Sequence, residues 1–157
     1  MQPILKIDLT TGKEEEIQVS RRDEELYLGG ASLAARLLYN QLNKDLSPYD
    51  PKAPLLFLNG PLTGTSGPAV GRFVVCGKSP ATKLWAESNC GGFWGPELRR
   101  AGFDGLWITG RSEQPVFILI RDQHITLHNA KHLWGLDTYS TQSAIETEPV
   151  GFASGMR

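Results

Sequence analysis

The sequence predicts an α+β domain in which strands outnumber helices. Short apolar stretches of strand-like composition recur along the chain, and two or three helical segments lie between them. The two kinds of segment do not alternate strictly, so antiparallel hairpins fit better than a doubly wound parallel sheet. The 157 residues suffice for one ordinary domain, and 40% hydrophobic with 21% charged residues is typical of a folded globular chain.

The first third of the chain predicts a hairpin followed by two helices. Strand-like stretches at residues 4–9 and 16–20 are separated by Gly12, which is suited to a tight turn. Residues 23–28 predict a short helix that the pair Gly29-Gly30 ends. The strongest helical pattern comes next, a 3.6-residue repeat of leucines at Leu33, Leu37, Leu38 and Leu42.

The rest of the chain predicts six more strands and two more helical stretches. Residues 93–101 form the better helix, because Pro96 is tolerated in a first turn and Gly102 is a suitable stop. A weaker helix, rich in Ser and Thr, covers residues 138–146, and residues 89–92 predict a turn. The predicted strands cover residues 54–59, 72–77, 84–88, 106–109, 116–120 and 125–128.

Charge and hydropathy exclude several classes of protein. Sixteen basic and seventeen acidic residues give a net charge of −1, which is unlike a strongly basic nucleic-acid-binding protein. The longest apolar runs have about five residues, whereas a membrane-spanning helix needs roughly 20. The first residues show no basic, apolar and small-residue pattern of a secretory signal. We therefore expect a cytoplasmic protein with neither nucleic acid nor membrane as a partner.

Cysteines and histidines do not form a convincing metal site. Cys76 and Cys90 are fourteen positions apart without a CxxC pair, so they predict two small half-buried thiols. His124, His128 and His132 recur every four residues, which would align them on a helix. The hairpin predicted there instead places the first two about 13 Å apart, at ~3.3 Å per residue. Solvent-facing histidines are therefore the favoured interpretation.

A glycine-rich loop at residues 60–72 is the first candidate functional segment. Eleven of the 17 glycines lie between residues 60 and 110. Glycine lets backbone N–H groups approach a ligand closely, and successive N–H groups can form an anion-binding nest. Three hydroxyl groups lie in the same loop, and its last residue is an arginine suited to phosphate. It lacks the P-loop and GxGxxG patterns, so a plain wide turn stays an open alternative. The three hydroxyl residues are Thr63, Thr65 and Ser66.

A second glycine-rich segment, residues 87–100, runs from a turn into a helix. A helix N-terminus offers unpaired N–H groups to an anion, and Asn89 is able to cap it or to coordinate through a carbonyl. Phe93 and Trp94 either cover a flat heterocycle or pack in the core. Together the two segments predict a site for one large phosphorylated cofactor.

Three charged residues near the end of this helix receive structural interpretations. Arg99 and Arg100 are most simply solvated charges near a helix C-terminus, where positive charge is favourable. Asp104 follows Gly102-Phe103 and is most simply a carboxylate that caps a turn.

An ordered set of motifs gives a more specific indication. The set resembles the N-terminal domain of the aldehyde ferredoxin oxidoreductases, which are tungsten- or molybdenum-bispterin enzymes, and it covers roughly residues 4–147. The motifs are GPLTGT at 60–65, GR at 71–72, KSP at 78–80, SNCGG at 88–92, GPEL at 95–98 and AGFD at 101–104.

The resemblance implies a β-rich, saddle-like domain that carries two pterin dithiolenes holding the metal. In that family the residues that match Arg72, Asn89 and Gly91 contact the cofactor, and the asparagine carbonyl is associated with a magnesium ion that bridges the cofactor phosphates. Asn89 is therefore the candidate metal residue. With the loop chemistry added, the candidate cofactor-binding residues are Thr65, Ser66, Arg72, Asn89, Gly91 and Gly92.

The same resemblance implies an oxidoreductase of which this chain is one part. The family enzymes oxidise an aldehyde to a carboxylic acid and pass electrons to ferredoxin through a [4Fe–4S] cluster held in later domains. We therefore expect residues 1–147 to be an incomplete N-terminal domain, residues 148–157 to be a tail of unclear status, and the remaining domains or a subunit to be partners. No residue here is assigned a catalytic role, and the chain alone is expected to be inactive. A non-catalytic truncated module or accessory subunit is the alternative, and a generic nucleotide-binding domain is disfavoured.

Overall fold

The structure, a computed structural model, describes residues 1–147. These residues form a six-stranded sheet, a separate two-stranded sheet and four helices. Two helices precede the third strand, one follows the fifth strand and one ends the described region. The elements are β1 (Ile4–Asp8), β2 (Lys13–Ile17), α1 (Arg21–Tyr27), α2 (Gly30–Leu38), β3 (Leu55–Asn59), β4 (Phe73–Lys78), β5 (Trp85–Cys90), α3 (Trp94–Arg100), β6 (Gly105–Thr109), β7 (Val116–Arg121), β8 (His124–Asn129) and α4 (Thr138–Glu146).

The predicted α+β class and the antiparallel hairpins are confirmed, with one parallel pair that the sequence did not indicate. The large sheet has the order β2-β1-β6-β3-β4-β5, and only β1 and β6 run parallel among its described neighbours. Ile4 lies opposite Gly105 in that pair. A Cβ added at Gly105 would lie 2.7 Å from Leu58 Cδ1, so the glycine is what lets β6 insert between β1 and β3.

Several predicted boundaries are wrong by a few residues. The second strand covers Lys13–Ile17 rather than residues 16–20. Helices form at all four predicted places, three of them between strands and one at the end of the described region. The predicted turn at residues 89–92 is wrong in its first half, because Asn89 and Cys90 end strand β5 and pair with Val74 and Phe73 of β4. Pairing with a buried neighbouring strand thus extends β5 beyond its apolar residues.

The two faces of the large sheet bury separate apolar clusters. Alternation along β1 sends Ile4 to one face and Leu5 with Ile7 to the other. Helix α2 covers the first face with Leu33 and Leu38. On the second face, Leu98 of α3 packs with Phe103 and Leu106, and isoleucines from the small sheet add partly buried contacts. The sheet is therefore a central layer with helices and a hairpin on its sides.

Helix α2 ends at Leu38, one turn before the leucine repeat does. The backbone then turns, with Leu42 N still donating to Leu38 O at 3.0 Å, so Leu42 packs against the first cluster from outside the helix. The Lys78 ammonium donates to three carbonyl oxygens of the next turn at 2.7–3.0 Å. This lysine fixes the exit of α2 to strand β4. The three carbonyls belong to Asn43, Lys44 and Leu46.

Arg99 is not a solvated charge, and its ion pair joins distant parts of the chain. Its Nε donates to the buried Asp104 at 2.5 Å, and its guanidinium also donates to three carbonyls of the first glycine-rich loop. The Asp104 carboxylate accepts from Gln2 N at 2.8 Å, while its backbone oxygen accepts from Asn59 N at 2.8 Å. Asp104 therefore does more than cap a turn, because it fixes the N-terminal segment beside the end of β3.

The two cysteines differ in environment, so the prediction of two half-buried thiols is wrong for both. Cys76 is buried in the first cluster and Cys90 is exposed at the end of β5. Burial, and secondarily the neighbouring Glu87 carboxylate, raises the pKa of the Cys76 thiol from 9.0 to about 12. Cys76 is therefore a neutral core side chain at physiological pH.

The histidines do not form a metal site, and the helices do not resemble membrane spans, within residues 1–147. His124 and His128 lie on strand β8, and the His128 ring stacks on Phe117 with centroids 5.1 Å apart. No group of His, Cys, Asp or Glu within residues 1–147 is arranged to hold a metal ion. Of the helices in that part of the chain, none is both long and apolar enough to cross a lipid bilayer.

We predict that Asp104→Asn lowers the free energy of unfolding by about 3 kcal/mol, because it leaves the Arg99 charge partly buried and unpaired. Urea unfolding of the full chain followed by tryptophan fluorescence measures this loss. The matched control is Glu25→Gln, which removes the partner of the exposed Arg21 and is expected to cost less than about 0.5 kcal/mol. Equal losses in the two variants would contradict the role assigned to Asp104.

We predict that iodoacetamide alkylates the exposed Cys90 in the native chain, whereas it reaches the buried Cys76 only when the chain unfolds. Under native conditions, alkylation of Cys76 should therefore be at least about a hundredfold slower than alkylation of Cys90. Mass spectrometry of peptides from native and urea-unfolded protein measures both rates.

Folding raises the pKa of Cys76, so between the two pKa values the thiol keeps its proton in the native state and loses it in the unfolded chain. Stability should therefore fall as the pH rises from 9.0 towards about 12, and Cys76→Val should lessen that fall. Rapid native alkylation of Cys76 would show that it is not buried.

Candidate functional site

A cleft of about 450 Å³ lies where the first glycine-rich loop meets the segment between β5 and α3. Four glycines line it, together with the side chains of Thr65 and Phe93. The charged side chains among its described lining residues are those of two arginines, Arg72 and Arg100. No carboxylate lines the cleft, although Glu97 forms an ion pair with Arg100 from one turn earlier in helix α3. The cleft is therefore suited to an anion. The lining glycines are Gly64, Gly71, Gly91 and Gly92.

Internal hydrogen bonds shape the first loop. The buried Thr63 hydroxyl donates to Arg72 O at 2.6 Å and accepts from Gly60 N at 3.1 Å, so it serves the loop itself rather than a ligand. Gly64 N donates to Val70 O at 2.9 Å and closes the loop. The Arg99 guanidinium also binds carbonyl oxygens near the start of this loop. The part of the loop around Thr65 lines the cleft.

Close packing between the two glycine-rich segments requires glycine at two positions. A Cβ added at Gly71 would clash with the carbonyl oxygen of Gly92. A Cβ at Gly95 would lie 2.7 Å from Asn59 Oδ1, an atom that is buried without a hydrogen-bond partner among the described residues. The contact of Gly71 with Gly92 holds the residues before β4 against the residues before α3, and both segments line the cleft.

Gly91 and Gly92 differ from these packing glycines. No protein atom lies within 4 Å of the position that a Cβ of either residue would take. Gly92 has a φ of +99°, which disfavours other residues, but Gly91 has no such backbone constraint. The open space at Gly91 is therefore available for the close approach of a ligand to its backbone.

The structure brings together four of the six predicted cofactor-binding residues. Thr65, Arg72, Gly91 and Gly92 line the cleft. Ser66 is exposed in the same loop and Asn89 lies in strand β5, and neither is among the residues that line the cleft. These positions do not test whether any of the six binds a cofactor, so those roles stay predictions.

The two aromatic residues at the start of α3 have different environments, one in the core and one at the cleft. Trp94 packs on Phe57 and Phe73, with ring centroids 5.4 and 4.4 Å away. Phe93 is 70% exposed and lines the cleft. Thus Trp94 belongs to the core and Phe93 is placed to cover a ligand. Arg100 is the charged lining residue that the sequence analysis did not assign to the site. The face of α3 that meets the cleft is known only once the elements packed against this helix are known.

The positive charge of the cleft comes from side chains. Arg72 is exposed, and its guanidinium forms no hydrogen bond or ion pair with the residues in the described part of the chain. Within residues 1–147, Arg100 pairs only with Glu97 on its own helix. Helix α3 has seven residues and no side-chain N-cap hydrogen bond, so its dipole is a minor contributor beside two full charges.

Comparison with known proteins agrees with the motif resemblance. A family model described as "Aldehyde ferredoxin oxidoreductase, N-terminal domain" matches residues 4–156. A tungsten-containing aldehyde ferredoxin oxidoreductase of Thermococcus kodakarensis is 41% identical, and one of Pyrococcus furiosus is 40% identical, over 92% of this chain. A Pyrococcus furiosus aliphatic sulfonate oxidoreductase, WOR-like subunit, is 32% identical over 85% of the chain.

A solved structure extends the comparison to three dimensions. The active-site complex BamBC of benzoyl coenzyme A reductase, solved with 1,5-dienoyl-CoA, has a TM-score of 0.88 and 37% identity. The structural match covers 92% of this chain and 22% of the matched chain of that complex. The chain spans about a quarter of the length of the curated aldehyde ferredoxin oxidoreductases that it matches, 24% in each case. The chain belongs to the aldehyde ferredoxin oxidoreductase family and corresponds to its N-terminal domain.

Proposed function

We propose that this chain is the cofactor-binding domain of an oxidoreductase and that its cleft holds the pterin phosphates of a tungsto- or molybdo-bispterin. The observation that carries the proposal is the pair of arginines in a glycine-lined cleft. Among the described residues, the one carboxylate paired with them is that of Glu97, which is exposed on the same helix as Arg100. Tungsten is favoured because it is named in the aldehyde ferredoxin oxidoreductases most similar in the comparisons above.

The residues present fit such a group. Phosphate oxygens are best bound by guanidinium groups and by backbone N–H groups that can approach closely, and the cleft offers both at Arg72 and Gly91. Its volume of about 450 Å³ lies within the usual range of small-molecule sites, ≈ 300–1,000 Å³. When bound, the metal dithiolene would supply the redox chemistry, while these residues would seat its phosphate groups and fix its orientation.

Asn89 is proposed to act through its backbone carbonyl on a magnesium ion that bridges the phosphates. Strand β5 is at the edge of the sheet, so one side of its backbone has no neighbouring strand in the described region. A carbonyl oxygen is a ligand that magnesium accepts. The exposed Ser66 hydroxyl lies in the same loop as Thr65 and is proposed as a further, weaker contact to the cofactor.

For the complete enzyme we propose oxidation of an aldehyde to a carboxylic acid, with electrons passed to ferredoxin through a [4Fe–4S] cluster outside this chain. The similar proteins described above include an aldehyde, an aliphatic sulfonate and a benzoyl coenzyme A enzyme. A domain common to such different substrates is best suited to serving a common cofactor. We therefore assign substrate choice to the remaining domains or a partner subunit.

The test is a chimera in which this chain replaces the matching quarter of the Thermococcus kodakarensis relative. We expect Arg72→Ala with Asn89→Ala to lower the tungsten and pterin content at least tenfold, because the lost guanidinium contact to a charged group is worth about 1.5–3 kcal/mol, whereas Asn89→Ala removes only a side chain and keeps the backbone carbonyl. Plasma mass spectrometry measures the metal, and fluorescence after oxidation measures the pterin.

The matched control replaces the exposed Arg21 and Asn40, which are remote in sequence from both glycine-rich segments, by Ala. Unchanged metal and pterin in a folded Arg72→Ala, Asn89→Ala chimera would refute the site. A wild-type chimera that assembles without tungsten, molybdenum or pterin would favour a non-catalytic module instead.

A further inference from the structure

We propose that a second cavity of this domain, remote from the glycine-rich cleft, binds a small organic carboxylate. The cavity has a volume of about 680 Å³ and lies on the face of the large sheet that α2 covers in part. Strands β1, β2 and β6 form its floor, and the segment that follows α2 forms one wall. It shares no lining residue with the cleft, so the inference does not rest on the proposed function.

The floor of this cavity contains a buried hydrogen-bond donor without an acceptor. Trp107 is 7% exposed and lines the cavity, and its Nε1 has no hydrogen-bond partner among the described residues. An indole N–H can only donate, so the group that it lacks is an acceptor. Buried donors are nearly always paired, because an unpaired one has lost its bond to water without a replacement. The orphaned N–H therefore indicates a ligand that carries an acceptor oxygen.

The lysines of the cavity leave an excess of positive charge. Lys13 and Lys52 are exposed, and neither ammonium forms a hydrogen bond or ion pair with another residue in the described part of the chain. The two carboxylates of the lining already have partners. Glu15 pairs with Lys6 at 3.2 Å, and Asp8 Oδ1 accepts from two backbone N–H groups of its own turn. The free cations therefore favour an anion as the ligand.

Lys6 connects the buried donor to the open side of the cavity. It lies opposite Trp107 in the register of β1 and β6, so the two side chains leave the same face of the sheet. Its ion pair with Glu15 is open to solvent, with the two side chains 35% and 54% exposed, and such a pair is easily given up. A carboxylate that takes the Lys6 ammonium from Glu15 would come to lie beside the indole N–H.

Hydrogen bonds hold the wall of the cavity in place. Gly110 N, at the end of β6, donates to Pro51 O at 2.6 Å, and the Arg111 guanidinium donates to Tyr49 O at 3.0 Å. These two bonds tie the segment that carries Lys52 to the sheet. The cavity is therefore formed by the fold itself before any ligand enters.

The rest of the lining indicates the body of the ligand. Ile17, Pro51 and Pro54 add apolar surface beside the Trp107 ring. No guanidinium, whose paired donors suit phosphate, lines the cavity within residues 1–147. Ammonium groups and a single N–H above an apolar floor match a monocarboxylate with a small apolar body.

Titration of the full chain with benzoate, followed by ¹H–¹⁵N NMR at constant ionic strength, tests the proposal. The four tryptophans give four indole N–H signals, and the one that is absent from Trp107→Phe belongs to Trp107. We expect benzoate to shift this signal saturably, because the N–H gains an acceptor. Benzyl alcohol, which has the same ring without the charge, should leave it in place.

The lysine variants test the charge. Lys13→Ala and Lys52→Ala should each weaken benzoate binding about two- to fivefold, the usual effect of one exposed charge pair. Lys131→Ala is the control, since it removes another exposed lysine that does not line the cavity.

Four results would overturn the proposal. They are no saturable shift of the Trp107 signal with benzoate, the same shift with benzyl alcohol, tighter binding of inorganic phosphate than of benzoate, and equal effects of Lys13→Ala and Lys131→Ala. If Trp107→Phe fails to fold, through-bond correlations in the unmodified chain assign the signal and the same titrations decide.

Discussion

The buried ion pair between Arg99 and Asp104 is the interaction on which the site depends. Taking two charges out of water is costly, and the cost is offset only if their remaining hydrogen-bonding groups are satisfied. Here the guanidinium donates to carbonyl oxygens of Gly60, Pro61 and Thr63, and the carboxylate accepts from Gln2 N. The pair therefore fixes a loop, a helix and the N-terminal segment relative to one another. Later residues of that loop, including Gly64 and Arg72, line the cleft, so the ion pair also helps to position the cleft.

Glycine serves two physical purposes in this domain. At Gly71, Gly95 and Gly105 it permits backbone or side-chain contacts that a Cβ would prevent, so these residues bring β4, α3 and β6 into place. At Gly91 neither crowding nor backbone conformation explains the residue. The proposed close approach of a ligand would explain it. On that proposal, the glycine excess of the sequence is partly a packing requirement and partly a requirement of the cleft.

In the proposed function, the domain holds a charged group and leaves the choice of substrate to the rest of the enzyme. Two arginines and an exposed phenylalanine line its cleft, and the described lining residues include no carboxylate or histidine. Similar proteins whose names give different substrates match this chain over most of its length, and the solved one among them has a TM-score of 0.88. A domain built on a sheet suits the proposed role, because it could orient a cofactor without selecting the substrate.

Local patterns determined most of the element positions in advance. Apolar stretches bounded by glycine and proline placed all eight strands, six of them to within one residue at each end, and the terminal helix has the predicted bounds of Thr138–Glu146. The ordered motifs identified the family and four of the residues that line the cleft, because these motifs carry backbone requirements that are legible in the sequence itself.

Long-range contacts decided the rest. The parallel pairing of β1 with β6, the extension of β5 through Asn89 and the burial of Arg99 each depend on partners far away in the chain. Two adjacent arginines cannot be distinguished from the sequence, because their sequence neighbours do not determine which face of the helix packs against other elements. Only the folded sheet gave Arg99 a buried carboxylate and left Arg100 at the cleft, because the free energy of a charge is set by the groups that surround it.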